Sequence, residues 1–270
     1  MYTAHWQLSR RPFESGIDAA AYYPSEPHQS SLLKLRYVVE QGTGIAVLGG
    51  VSGTGKSLLV QLLHQRLGET FSPWAHLVYP QLDTPELLGY IAAELECDAS
   101  QTQSLDRTVR AIGRRLTELS IQGRRPVLAI DEAHLLTSRD TFESLRLLLN
   151  FEHAGRPCLS LLLIGQPGLL TQLERLPQLD ERVAVKCLLR PLTVEETMSY
   201  VQHRLAWAGA RRTIFTTTAL EALHRLSQGI PRRIHRLCDL ALLVGFAEEQ
   251  RQVTDRHLEA VAHELVEVAA

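Results

Sequence analysis

Eight consecutive residues, Gly50-Val51-Ser52-Gly53-Thr54-Gly55-Lys56-Ser57, carry the strongest chemical signal in the chain. They satisfy the pattern G-x-x-x-x-G-K-[ST], whose glycines let the backbone wrap closely around phosphate oxygens. A side chain at those positions would block the approach or forbid the dihedrals. The loop N–H groups and the start of the following helix, through Leu58, are expected to face the anion. Lys56 is placed to reach the β- and γ-phosphates as a point charge, and the Ser57 hydroxyl to ligate Mg²⁺.

A second signal lies 75 residues beyond Lys56, where Pro126-Val127-Leu128-Ala129-Ile130-Asp131-Glu132 reads as an apolar strand ending in two carboxylates. At such a strand end Asp131 can hold Mg²⁺ through water, and Glu132 can polarise the water that attacks a γ-phosphate. The plainer reading makes the pair an N-cap and a first-turn carboxylate of the next helix. Asp131-Glu132-Ala133-His134 also spells the box of a helicase group. Those helicases need two tandem nucleotide-binding domains and a Ser-Ala-Thr motif, and the 270 residues contain neither, so the spelling reads as coincidence.

Elements that position these residues follow from periodicity. Strand-like runs at Ile45–Leu48, His76–Tyr79, Val127–Ile130, Leu159–Ile164 and Val183–Leu189 alternate with helix-period segments. Those segments are Ser57–Leu67, Pro85–Leu95, Leu105–Ile121, Thr141–Asn150 and Gly168–Leu176. The alternation predicts an α/β fold, a parallel five-stranded sheet covered by helices. Beyond Pro191 the strand signals stop, and Val194–Ala208, Thr218–Ser227, Pro231–Ala247 and Thr254–Val268 read as amphipathic helices. Thr193 and Thr254 suit N-caps, Glu196 completes a T-x-x-E capping box, and Pro231 suits a first helical turn. Two domains are expected, an α/β domain over 1–192 and a helical one over 193–270.

Composition narrows the function classes. With 45% apolar and 21% charged residues the chain is an ordinary globular one, and its net charge of −2 removes any global electrostatic argument for nucleic acid. No apolar run has the length of a membrane span, and Met1 to Pro12 lacks a signal-peptide core, so a cytoplasmic location is expected. Cys97, Cys158, Cys187 and Cys238 stand too far apart for zinc-ligand spacing and read as reduced thiols. The histidines, among them His64, His76, His134, His153 and His235, form no metal-binding pair and are expected to be structural or superficial. Trp6, Trp74 and Trp207 are too separated for a base-stacking platform and read as core residues.

The chain resembles the AAA+ ATPases of the general secretion pathway protein A (ExeA) family. The likeness is carried by Arg11-Pro12-Phe13, Tyr22-Tyr23-Pro24, His28, Leu35-Arg36-Tyr37 and Gly44 ahead of the first strand. It continues in Leu161-Leu162-Leu163-Ile164-Gly165-Gln166-Pro167, Arg190-Pro191-Leu192-Thr193 and Glu195-Glu196-Thr197. Gly229-Ile230-Pro231-Arg232-Arg233-Ile234 and Leu237 to Leu243 complete it. The resemblance implies a P-loop NTPase whose C-terminal helices form the AAA+ lid. It assigns Gln166 as the polar sensor that orients the attacking water and Arg232 as the sensor arginine of the lid. Arg182 is implied as the arginine finger that enters a neighbouring subunit's site, with Arg175 as the competing choice. ExeA-like proteins often continue into a membrane span and a peptidoglycan-binding domain; here the expectation is the ATPase module alone, serving an unidentified protein partner.

Two functions follow. One is a Mg²⁺-dependent ATPase acting as an oligomeric motor or switch for secretion or envelope assembly, with its site shared between subunits. The alternative is a DNA-binding ATPase regulator of the transposition-target-selector type, for which Arg211, Arg212, Arg232, Arg233 and Arg236 would supply phosphate contacts. The sequence favours the first, because solvated helix surface accounts for those arginines. A nucleotide-binding scaffold without turnover is disfavoured by the pairing of Lys56 with Glu132.

Overall fold

The computed structural model describes residues 2–14, 19–98 and 104–267. In chain order its first elements are α1 (Tyr2–His5), α2 (Glu26–Gln41), β1 (Ile45–Gly50), α3 (Lys56–Arg66), β2 (Trp74–Leu77), α4 (Thr84–Glu94), α5 (Leu105–Ile121) and β3 (Val127–Ile130). There follow α6 (Arg139–Leu148), β4 (Glu152–His153), β5 (Arg156–Pro157), β6 (Ser160–Gly165), α7 (Gly168–Glu174), α8 (Pro177–Asp180) and β7 (Val183–Leu189). The last four are α9 (Val194–Trp207), α10 (Thr217–Ser227), α11 (Pro231–Ala247) and α12 (Asp255–Glu267). They gather into two compact units, one of Glu26–Val51 with Lys56–Leu189, the other of the described residues of Met1–Ser25 with Ser52–Gly55 and Arg190–Ala270.

The first unit is the expected parallel sheet, in the order β2-β3-β6-β1-β7. Every residue of β1 and β6 is buried, which is why both read as unbroken apolar runs rather than alternating ones. Registers such as Val47↔Leu163 and Leu128↔Leu161 bring the carboxyl ends of β1, β3 and β6 to one edge. The second strand differs from the sequence reading. It occupies Trp74–Leu77 rather than His76–Tyr79, because pairing of Trp74 with Val127 and Leu77 with Ile130 turns Ala75 and Leu77 into the core. Val78 and Tyr79 are left 63% and 64% exposed. Helix α2 was not read from the sequence, yet it buries Leu32, Leu35, Val38 and Val39 at three- and four-residue spacing. Asp83 and Glu86 close a reciprocal capping box that starts α4.

The second unit is helical, and the chain's first residues belong to it. Trp6, Phe13, Leu205, Phe215, Leu223 and Leu242 share one core. The Trp6 indole N–H donates to the Leu242 carbonyl at 2.9 Å, and the buried Arg204 guanidinium donates to the carbonyls of Pro12 at 2.7 Å and Ala21 at 3.4 Å. Tyr2 hydrogen-bonds Asp239, which also receives Arg11. Thr193 and Glu196 form the anticipated capping box of α9, and Pro231 stands in the first turn of α11. All four cysteines are free thiols, and burial pushes each of their pKa values up. Among the described residues no helix is long and apolar enough to cross a membrane.

Candidate nucleotide site

The carboxyl edge of the sheet gathers the two sequence motifs. Gly50 ends β1, and α3 begins at Lys56, a residue only 6% exposed. Its ammonium Nζ donates to the carbonyls of Gly50 at 2.8 Å and Val51 at 3.2 Å, so the charge is held inside the turn that the loop makes. Ser57 and Leu58 follow in the first turn of α3. The Ser57 hydroxyl donates to Asp131 Oδ2 at 3.0 Å, joining motifs 74 positions apart. Asp131 is 7% exposed, and its backbone N–H extends the β2–β3 pairing by donating to the Leu77 carbonyl at 2.8 Å. Its other carboxylate oxygen accepts the Glu132 N–H at 2.9 Å.

Glu132 itself has left-handed backbone, φ 49° and ψ 33°, and opens a one-turn 3-10 helix at Ala133–Leu135. His134 Nδ1 lies 3.3 Å from Glu132 Oε2. The same nitrogen accepts a long hydrogen bond, 3.4 Å, from the backbone N–H of Gln166, just past the end of β6. The structure thus brings the Glu132 carboxylate and the Gln166 backbone N–H to the same imidazole nitrogen. The sequence reading left His134 as a structural or surface residue. Its forward signal was its place at the end of the helicase spelling Asp131-Glu132-Ala133-His134, which reads as coincidence without the rest of that group's motifs.

The loop tip, Ser52–Gly55, packs within the helical unit. Arg232 donates its backbone N–H to the Gly53 carbonyl at 3.2 Å and a guanidinium N–H to the Ser52 hydroxyl at 3.3 Å. Gly53 has φ +86°, and a Cβ there would stand 2.8 Å from Arg232 Cβ, so only glycine fits between the loop and α11. Thr54 is buried and Gly55 has φ +96°. One turn along α11, His235 accepts or donates to the Tyr200 hydroxyl at 2.5 Å. Burial pushes the His235 imidazole down to about 4 and the Tyr200 phenol up to about 12. Arg233 is engaged elsewhere, on Gln228 Oε1 at 2.6 Å.

Of the two finger candidates, Arg182 lies at the end of β1 opposite Gly50. The Arg182 carbonyl accepts the N–H of Ile45, the first residue of β1, at 3.1 Å. The Gly50–Ser57 loop leaves from the other end of that strand, roughly 17 Å away at about 3.3 Å per residue. The Arg182 guanidinium donates to Asn150 Oδ1 at 3.0 Å. Arg175 caps the end of α7 and is exposed.

A family model described as an AAA domain matches residues 39–173, the span from the end of α2 through β6 and most of α7. The chain belongs to the AAA domain family. This AAA chain is 36% identical over 268 residues to General secretion pathway protein A of Aeromonas hydrophila, covering 98% of the chain and 48% of that protein. It spans about half the length of this curated relative, and the likeness expected from the motifs is borne out. Solved structures share the fold at low identity. The Aeropyrum pernix ORC2 protein aligns with TM-score 0.69 and 16% identity over 95% of this chain and 71% of its own. Drosophila ORC aligns with TM-score 0.71 and 19% identity over 97% of this chain and 66% of that one. The Thermotoga maritima RuvB branch migration motor aligns with TM-score 0.59 and 19% identity over 88% and 69%. The expected fold, a P-loop NTPase sheet followed by AAA+ lid helices, is the one found.

Proposed function

We propose that the chain is a Mg²⁺-dependent ATPase that works as an oligomeric motor or switch in the cytoplasm, delivering its motion to a secretion or envelope-assembly partner. The observation that carries the reading is the Ser57–Asp131 contact at 3.0 Å, which puts two oxygen ligands side by side where the phosphate loop enters α3. Among the described residues no cluster of three or more His, Cys, Asp or Glu forms a self-contained metal site. Two oxygens suit a hard cation that takes its other ligands from phosphates and water, so the donor set fits Mg²⁺. Bound there, the ion would neutralise charge on the phosphate oxygens.

The chain's own residues divide the remaining work. Lys56 exchanges the loop carbonyls for phosphate oxygens, and the backbone N–H groups from Gly50 to Leu58 bind the polyphosphate. Glu132 orients a water and accepts its proton, while Gln166 hydrogen-bonds that water. Arg232, already bonded to Ser52 and Gly53, senses the γ-phosphate. Arg182, or Arg175 in its place, completes a neighbour's site, which is the reason for proposing a homo-oligomer. The relative's secretion name supports the choice of pathway for the partner.

Arg211 and Arg236 favour a second reading, because both are exposed and neither side chain has a hydrogen-bond or ion-pair partner among the described residues. The Drosophila ORC structure is a complex with DNA. On that reading the chain is a DNA-binding ATPase regulator.

The test is ATP turnover across a protein concentration series, for wild type beside Glu132→Gln and Lys56→Ala, with and without DNA. Turnover should rise faster than linearly with protein and fall at least about 100-fold in Glu132→Gln, the lower range for losing a general base. Lys56→Ala should lose turnover together with nucleotide binding. Absence of ATP binding and turnover under every condition overturns the proposal. DNA retention that falls steeply with salt would move the assignment to the regulator.

A further inference from the structure

We infer that His134 is a positioning residue whose Nδ1 couples Glu132 to Gln166, holding the Glu132 carboxylate in one arrangement and releasing it in the other. This rests on the ATPase reading proposed for the same site.

At any moment Nδ1 is either a donor or an acceptor, never both. Its two neighbours demand opposite roles, since the Gln166 N–H at 3.4 Å only donates and Glu132 Oε2 at 3.3 Å only accepts. In the structure the Gln166 N–H takes the nitrogen. Glu132 Oε2 is accordingly left shielded from solvent with no hydrogen bond. That is a costly state for a carboxylate oxygen unless something at the site uses it.

The imidazole is built into place rather than draped on the surface. Its side chain is 17% exposed, and the His134 carbonyl accepts the side-chain N–H of Gln172 from α7 at 3.0 Å. Gly165 makes room for it, because a Cβ there would stand 3.1 Å from the His134 backbone nitrogen and 3.3 Å from Nδ1. His134 is therefore anchored to both the β3 turn and the β6–α7 turn.

Two states follow. With the ring proton on Nε2, Nδ1 accepts from Gln166 and the Glu132 carboxylate is free to turn to water and take its proton. With the proton on Nδ1, the ring donates to Oε2, holds the carboxylate against itself, and drops the Gln166 N–H. Both contacts are near the long limit of hydrogen bonding, so a shift of a few tenths of an ångström at Gln166 selects between them. Gln166, proposed to hydrogen-bond the attacking water, thus governs the base through His134.

The experiment measures kcat and KM for ATP, and nucleotide affinity with a fluorescent ATP analogue, for wild type, His134→Ala, His134→Asn, His134→Gln and Glu132→Gln. Asparagine returns a polar atom to the Nδ1 position, whereas glutamine reaches the Nε2 position. His134→Ala and His134→Gln remove the acceptor that fixes the Gln166 backbone beside the attacking water, and should lower kcat by about 10- to 100-fold, the usual consequence of misplacing a group at the reacting centre. KM and nucleotide affinity should stay within about twofold, and His134→Asn should keep kcat within about threefold of wild type. Wild-type kcat in His134→Ala overturns the inference, as does a His134→Asn no better than alanine. So does a kcat loss matched by an equal loss of nucleotide affinity. If wild type turns over ATP and Glu132→Gln does not, these failures concern His134 alone; a wild type without turnover overturns the site reading and this inference together.

Discussion

Replacing Trp6 by alanine should unfold the helical unit well before the sheet unit is disturbed. A tryptophan six residues into a chain would ordinarily sit in a frayed end. Here it is 0% exposed, with its indole N–H on the Leu242 carbonyl and its ring lying on α11, where a Cβ at Gly245 would come within 2.9 Å of it. Removing some 200 Å² of buried ring forfeits roughly 5 kcal/mol at about 25 cal/mol per Å², an upper bound because unfolded chains bury part of that area. The Leu242 carbonyl lies inside α11 and keeps a helical donor, so losing the indole adds little. Gly245 offers no side chain to refill the hole, which keeps the expected loss near the top of the Trp→Ala range, about 4 kcal/mol. That is a large share of a total stability of about 5–15 kcal/mol. Urea unfolding followed by far-ultraviolet circular dichroism and by Trp207 emission measures it, since Trp207 reports from the helical unit and Trp74 from the sheet. Trp6→Phe, which keeps a ring, should lose less than half as much. A Trp6→Ala protein within about 1 kcal/mol of wild type would refute the claim that the chain's first residues belong to this core.

Two further substitutions probe the loop and α11. Gly53→Ala forces a side chain onto φ +86° and to within 2.8 Å of Arg232 Cβ and 3.1 Å of Ile230 Cγ2. Backbone strain and overlap of about 2 kcal/mol should weaken ATP-analogue binding about 30-fold, and unchanged affinity would show that the loop does not need its observed shape. His235 sits at about 4 because burial disfavours its charged form, so between pH 6.5 and 4 the unfolded chain binds a proton that the folded one refuses. Stability therefore falls as pH drops through that window, by up to roughly 3 kcal/mol for a shift of this size. His235→Gln, which has no proton to refuse, should show a flatter curve between pH 7 and 4.5, so that its stability gap to wild type narrows as pH falls; equal slopes for the two proteins would exclude His235 as the source.

How much of this could be read from residues alone varied with the range of the contact that decides each feature. The places of the Gly50–Ser57 loop between β1 and α3 and of Asp131 and Glu132 at the end of β3 were readable because each is a local pattern, and the sheet follows from apolar runs buried on both faces. The placement of β2 was off by two residues, since Val78 and Tyr79 are as apolar as the strand itself and only pairing with Val127–Ile130 decides between them. Helix α2 was missed although Leu32, Leu35, Val38 and Val39 keep helical spacing; Pro27, His28, Gln29, Ser30 and Ser31 dilute its first turns. The docking of residues 2–14 on α11 depends on partners more than 230 positions away, such as Trp6 with Leu242, and no window along the chain contains both. Arg232 came from family likeness, and its bond to Ser52 gives that likeness a physical content. His134 was marked only by the helicase spelling Asp131-Glu132-Ala133-His134, whose other parts the 270 residues lack.

Glu132 carries two separate costs, and their coincidence on one residue bears on why the site is built this way. Its left-handed backbone is one that glycine or asparagine would adopt more cheaply, and its Oε2 is buried without a hydrogen bond. Packing alone does not call for a glutamate there. The turn is nevertheless over-determined from both sides, because the Glu132 N–H is held by Asp131 Oδ1 at 2.9 Å and its carbonyl accepts the Leu135 N–H at 2.8 Å. Ala133 is fully buried behind it. In a continuing strand, side chains 131 and 132 would point to opposite faces of the sheet. The left-handed turn breaks that alternation immediately after Asp131, so both carboxylates can serve the same edge, one committed to Ser57 and the other left short of partners. Strain maintained at one polar residue by bonds from its neighbours is the pattern expected where reactivity outweighs stability, and here it falls on the carboxylate proposed to take the proton from water.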